Sequence, residues 1–248
     1  MRYCGVLSYC GKAYKGFERQ KNYPTIQGEV EAALSNLGGK SITIHGAGRT
    51  DAGVHAKGQT FSFDFDSIAD LGTFIHAINR LLPGDIVVLS LRQVDSTFDA
   101  RHSSVGKVYS YAFHYGRRDP LALQEFQLEW PNFSFPFFIA CMKLYEGTHN
   151  FMDFTSKSVD KDHFIRTIEP IRFAYDEKGG HMKVTLTGNG FMTYMVRILV
   201  GVAFKVAMGK MSLDEVERAL DPTERKIISY KAPAEGLCLE EVLYGNAV

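Results

Sequence analysis

The order in which hydrophobic period changes along residues 2–94 constrains the fold more than any other feature of the sequence. Residues 2–10 read as a strand. Thr25 is placed to cap a helix running to about Leu37, where Gly38-Gly39 stops it. Residues 41–46 read as a second strand, and Gln59-Thr60-Phe61-Ser62-Phe63-Asp64-Phe65 alternates apolar and polar side chains as a half-buried third strand does. Ser67 opens a second helix to about Leu82, closed by Pro83-Gly84-Asp85, and Ile86 to Val94 forms a fourth strand. The succession β-α-β-β-α-β is the split βαβ, ferredoxin-like arrangement, with two helices on one face of an antiparallel sheet and the other face open.

The second half repeats the theme. Val105 to Tyr115 reads as a strand, Phe137 to Tyr145 as a helix, Thr167 to Tyr175 and His181 to Thr187 as strands, and Phe191 to Met208 as a long helix. Ser212 with Glu215 makes a capping box for a short helix, and Leu237 to Tyr244 closes the chain as a strand. Residues 117–135, rich in Pro, Phe and Leu without period, are a connection or insertion. The expectation is an α+β protein of two similar halves, 1–104 and 105–248, with a cleft between them.

Composition narrows the function classes. Lys+Arg and Asp+Glu balance at 28 each, so a nucleic-acid partner requires a local basic surface, not a basic protein. Charge is uneven: residues 1–60 carry eight basic and four acidic side chains, residues 61–100 two basic and six acidic. Cys4, Cys10, Cys141 and Cys238 form no C-x-x-C pair, which argues against structural zinc and a disulfide framework and for a reducing cytosol. No secretory signal is visible at the N-terminus, and the most apolar stretch is broken by Arg197 and Lys205, so no membrane span is expected. The eight histidines lack the i, i+4 spacing of a metal site, and no Walker loop, dinucleotide fingerprint or nucleophile elbow is present.

One loop concentrates the chemistry. Ala47-Gly48-Arg49-Thr50-Asp51-Ala52-Gly53-Val54-His55-Ala56 sets one carboxylate between small residues and beside one arginine, at the start of the third strand or just before it. Gly46, Gly48 and Gly53 admit positive φ and close approach by another chain. Two readings stand: Asp51 as nucleophile or base, or Asp51 satisfying N–H groups of a tight turn. The first needs a cation, because burial alone disfavours the charged carboxylate. Arg197, the sole charge in Gly188–Gly201, is the candidate, although an arginine there also snorkels to solvent or pairs with a structural acid. Lys107-Val108-Tyr109-Ser110-Tyr111 places Lys107, Tyr109 and Tyr111 on one strand face, either as a platform for an unpaired base or as core with hydroxyls at its edge. Arg101 and the pair Arg117-Arg118 add cations nearby in sequence.

The signature Gly48-Arg49-Thr50-Asp51-Ala52-Gly53-Val54-His55-Ala56 resembles that of the TruA-type tRNA pseudouridine synthases nearly letter for letter. Further segments extend the resemblance along the whole chain: Tyr9-Cys10-Gly11 with Gly16-Phe17, Thr25-Ile26-Gln27-Gly28, Leu82-Pro83-Gly84-Asp85-Ile86, Phe98-Asp99-Ala100-Arg101, Met195-Val196-Arg197, and Ala232-Pro233-Ala234-Glu235-Gly236-Leu237. It implies a homodimer whose chains each hold two ferredoxin-like (split βαβ, RRM-like) halves with joined antiparallel sheets around a central catalytic cleft, which receives the anticodon arm of tRNA. It implies that Asp51 is the nucleophile, that Arg197 pairs with it, that Tyr109 packs against the target uracil, that Arg49 helps hold the extruded nucleotide and that Leu237 lines the pocket. Arg101 and Lys107 join the substrate-binding set. The implied reaction is isomerisation of uridine to pseudouridine in the anticodon stem-loop, with no redox cofactor, energy donor or metal. Cys10 departs from the pattern, standing where many members have Asp. The competing readings are an RNA-binding paralogue or chaperone without turnover, and a small-molecule lyase or hydrolase using the same carboxylate, which leaves the tyrosine strand unexplained.

Overall fold

The computed structural model describes residues 1–115, 126–128, 133–156, 164–176, 180–223 and 226–245. The chain is an α+β protein that divides into two compact units: Met1–Val105 with the C-terminal segment from Cys238, and Gly106–Leu237.

In the first unit β1 (Arg2–Tyr9) is followed by α1 (Ile26–Gly38), β2 (Ile44–Gly46), β3 (His55–Asp64), α2 (Leu71–Leu81) and β4 (Ile86–Val94). β1 lies between β3 and β4, antiparallel to both, with Gly5 opposite Phe61 on one side and Leu91 on the other. β2 pairs antiparallel with Ser62 and its neighbours on β3. This is the expected split βαβ order. Thr25 caps α1 as expected, its Oγ1 accepting the Gly28 N–H at 3.3 Å, and Gly39 ends it at φ 64°. α2 begins later than expected. Asp70, as good a cap as serine, takes the Thr73 N–H at 2.8 Å, while the Ile68 N–H is spent on the Tyr3 hydroxyl at 3.0 Å. Leu82 is extended, as a residue before proline tends to be, so α2 stops at Leu81. Tyr3, Phe61 and Phe63 stack in the core at centroid distances of 5.7 and 5.5 Å.

In the second unit β5 (Ser104–Tyr115) is antiparallel to β10 (His181–Gly188) along its length, from His114 opposite His181 to Lys107 opposite Gly188. Between them in sequence come β6 (Phe126–Leu128), α3 (Phe135–Lys143), β7 (Gly147–Asn150), β8 (Ile165–Ile168) and β9 (Arg172–Asp176). The single strand expected over 167–175 is two. Pro170 has no N–H to give a ladder, and Ile171 donates its own to Glu146 Oε1 at 2.9 Å, so β8 pairs with β7 and β9 with β10. α3 starts two residues early because Pro136 fits a first helical turn. α4 (Met195–Ala207) starts four residues later than expected, after Tyr194, and α5 (Leu213–Leu220) carries the predicted Ser212–Glu215 capping box. Phe113, wholly buried, meets Phe138 and Phe204 edge-on at 5.6 and 5.0 Å. Most of the expected connection at 117–135, with Arg117 and Arg118, lies outside the described residues.

The sequence segmentation carries 105–248 as one half; in the structure the closing strand β11 (Leu237–Tyr244) belongs, from Cys238 onward, with the first unit. There it runs parallel to β3, Cys238 opposite His55 and Leu239 opposite Ala56. The edge of β3 that β1 leaves open is thus shared, β2 taking residues near Phe61 and β11 those near His55. Tyr244 anchors the far end of β11 through a 2.7 Å hydrogen bond to the Ala100 carbonyl.

Candidate active site

Asp51 sits half-buried in the turn just before β3, its carbonyl accepting the Val54 N–H at 3.1 Å while Gly53 takes φ 82°. What surrounds this turn holds it still. The Thr50 carbonyl accepts the Phe17 N–H at 3.0 Å, and the Thr50 hydroxyl shares a buried 2.8 Å hydrogen bond with Tyr9. Gln59, wholly buried, donates Nε2–H to the Gly48 carbonyl at 2.9 Å. Gly11 donates its N–H to His55 Nδ1 at 3.2 Å. Contacts from β1, the segment after it and β3 therefore grip the residues on both sides of Arg49 and His55, the first residue of β3. Each such buried hydrogen bond contributes about 1 kcal/mol net, and considerably more is lost if one partner is left alone. Burial pushes the Tyr9 phenol well above its ordinary pKa, against the Thr50 hydrogen bond, so Tyr9 enters this network neutral.

The glycines divide differently from the expectation that all three loop glycines serve an approaching ligand. A Cβ on Gly46 would lie 2.3 Å from the Phe17 ring, so its close approach is internal. The tightest approach in the region belongs to Gly11, where a Cβ would lie 1.9 Å from the Val54 carbonyl oxygen. Arg49 is exposed and pairs with Glu18 at 3.1 Å; with both side chains more than half exposed the pair contributes little. Arg101 is exposed in the turn after Asp99, whose Oδ1 accepts the Arg101 and His102 N–H groups at 2.9 and 2.8 Å. Burial raises the Asp99 pKa, but those two N–H donors outweigh it and leave the carboxyl below its ordinary value.

The remaining candidates fall in the second unit. Tyr109, nearly buried on β5, meets Phe191 edge-on at 5.3 Å, and Lys107 is half-buried two residues before it. Tyr111 is core, not platform: it is wholly buried, packs against Phe204 and donates its hydroxyl to the Pro233 carbonyl at 3.0 Å. Leu237 is buried at the start of β11, after the short turn Ala234–Gly236 whose last glycine packs on the Tyr111 ring. Arg197 is half-buried on α4, donating Nε–H to the Ala232 carbonyl at 2.8 Å while its own carbonyl accepts the Ala232 N–H at 2.8 Å. Its guanidinium carbon lies 5.6 Å from the centre of the Tyr194 ring. So Arg49, Asp51 and Arg101 lie in one unit, and Lys107, Tyr109, Arg197 and Leu237 in the other.

Sequence reasoning missed Tyr9, Thr50, Gln59 and Tyr194. Thr50 was visible as a member of the loop, but the other three gain meaning only from strand register and backbone conformation. Among the described residues no group of three metal-ligating side chains is assembled, and no helix is long and apolar enough to cross a membrane.

The profile of one protein family, described as tRNA pseudouridine synthase, matches residues 6–103 and 141–245. The chain is similar to a tRNA pseudouridine synthase A of Streptococcus mutans, 35% identical over 99% of this chain and 100% of the relative. It is similar also to one of Acetivibrio thermocellus, 36% identical over 96% of this chain and 98% of the relative. A crystal structure of a Cbf5-Nop10-Gar1 complex aligns over 82% of this chain and 45% of its own, at 14% identity and a TM-score of 0.38, a likeness that carries no argument.

Proposed function

We propose that this chain, which belongs to the tRNA pseudouridine synthase family, uses Asp51 as the attacking carboxylate of its reaction. Membership makes it an isomerase of tRNA uridines. In that reaction the bond from uracil N1 to the ribose breaks, the ring turns, and uracil C5 bonds to the same ribose carbon, giving up its proton while N1 gains one. All atoms of the substrate are kept. The observation that carries the Asp51 reading is the clamp on its loop: a carboxylate required to attack one atom in a bound nucleotide gains most from a backbone already fixed in place.

The other roles follow from the chemistry of each side chain. A cation near a carboxylate favours its charged form, and Arg197 is read as that cation for Asp51. Tyr109 packs on the target uracil, and Leu237 lines its pocket. Arg49 exchanges a weak surface pair with Glu18 for the extruded nucleotide, and Arg101 and Lys107 meet the RNA backbone. Extrusion costs a few kcal/mol in lost stacking, which these contacts offset. The substrate region is the anticodon stem-loop, the active form a homodimer, and the compartment the cytoplasm.

The test is to incubate purified protein with unmodified tRNA transcript and map pseudouridine by a reagent that stops reverse transcription at modified sites. New stops confined to the anticodon arm are expected. Stops elsewhere would overturn the substrate region, and tight tRNA binding with no stops would make the chain a binding paralogue. Sedimentation at twice the monomer mass is expected, and a lone monomer at micromolar concentration would contradict the dimer.

A further inference from the structure

Tyr194 has the only positive φ of any non-glycine among the described residues, φ 63° and ψ 1°. The left-handed region admits glycine and asparagine readily and a bulky aromatic residue rarely, so such a residue persists where its side chain is held by its surroundings. Tyr194 occupies the N-cap of α4 without making a side-chain cap bond, so capping does not account for it. What its ring does is visible nearby. The Arg197 guanidinium carbon lies 5.6 Å and the Lys231 Nζ 4.2 Å from its centre. Lys231 immediately precedes Ala232, the residue that exchanges hydrogen bonds with both the backbone and the side chain of Arg197.

We infer that Tyr194 is a positioning residue for Arg197, its ring fixing the guanidinium between the start of α4 and the Lys231-Ala232 backbone. The ring presents its electron-rich face to both cations and so attracts each of them. The Ala232 carbonyl fixes one end of the guanidinium and the ring steers its plane. This inference rests on the reading that Arg197 keeps Asp51 charged, and it adds that the left-handed backbone at Tyr194 is the conformation that brings the ring under the cations.

The test compares Tyr194→Asn, which tolerates the left-handed backbone but has no ring, with Tyr194→Phe, which keeps the ring. Single-turnover pseudouridine formation, tRNA Kd and thermal midpoint are measured for each. Expected are at least a tenfold fall in rate for Tyr194→Asn, with tRNA Kd within twofold and the midpoint unreduced, and a rate within threefold of the parent for Tyr194→Phe. In an Arg197→Met background Tyr194→Asn is expected to add less than a twofold loss, because the ring acts through the missing guanidinium. A near-parental rate for Tyr194→Asn, beside an inactive Arg197→Met, would overturn the inference and leave the Arg197 reading standing. Near-normal turnover by Arg197→Met would overturn that reading itself. If Tyr194→Asn does not fold, Tyr194→Gly takes its place, and failure of both to fold would reduce Tyr194 to a structural residue.

Discussion

The clamp on the Asp51 loop predicts a specific effect for Gly11→Ala. The added methyl would lie 1.9 Å from the Val54 carbonyl oxygen, 2.6 Å from its carbonyl carbon and 3.0 Å from its nitrogen. All three are backbone atoms, so no flexible side chain end gives way. Relaxing the carbon–oxygen contact to roughly 3.3 Å requires a shift of about 1.4 Å. β1, which leads into Gly11, is paired along both edges, so the shift falls on the Val54 end of the Asp51 turn and pulls it against its clamp. A misplacement of about 1 Å at a reacting group costs on the order of a hundredfold in rate, or about 2.7 kcal/mol. The assay is single-turnover isomerisation at saturating enzyme, with urea unfolding in parallel, where overpacking is expected to cost about 1–3 kcal/mol. Gly39→Ala is the control: φ there is 64° and nothing lies within 4 Å of the added carbon, so it loses about 1–2 kcal/mol of stability through backbone strain at the end of α1, outside the loop. The reasoning is refuted if Gly11→Ala loses stability yet turns over within threefold of the parent, or if Gly39→Ala loses rate equally.

Other perturbations probe neighbouring contacts. Tyr9→Phe removes the buried hydroxyl partner of Thr50 and is expected to cost about 1–3 kcal/mol; in a cycle with Thr50→Val the coupling should be about 1 kcal/mol by urea unfolding, and additive losses would mean the bond contributes nothing. Asp99 has its pKa depressed in the folded protein, so its stabilisation is present above the unfolded value of about 3.9 and is lost as pH falls through the lower folded value. Asp99→Asn should therefore cost about 1 kcal/mol at neutral pH and progressively less below about pH 4, and a gap that widens on acidification would contradict the two N–H bonds. Arg197→Met is expected to abolish most turnover while tRNA binding changes little, as read by filter binding beside the rate.

Local signals in the sequence carried much of the architecture because each is set by a few adjacent residues. The Thr25 cap, the Gly39 stop, the Ser212–Glu215 box and the limits of β4 and β11 are of this kind. Failures occurred where a distant group intervened. Asp70 and the Tyr3 hydroxyl displaced the start of α2, and Glu146 with Pro170 cut one strand into β8 and β9. β7, Gly147–Asn150, has no alternating pattern and exists because β8 pairs with it. The site was legible in the same uneven way. Asp51, Arg197 and Tyr109 stood out as side chains whose chemistry asks for a partner, helped by the family resemblance. The clamp was hidden because Gly11 reaches Val54 only through the register that puts Tyr9 opposite Ala56, and Tyr194 because a backbone dihedral leaves no mark in composition.

The central claim is that Asp51 performs the attack from a loop fixed in advance, and its most direct measurement is pseudouridine formation by Asp51→Asn and Asp51→Ala under single-turnover conditions with tRNA binding recorded alongside. Loss of product beyond detection with tRNA Kd within about threefold of the parent, a shift of less than about 1 kcal/mol in binding, is the result the account predicts. Product formed by either variant at a rate near the parent's would contradict it.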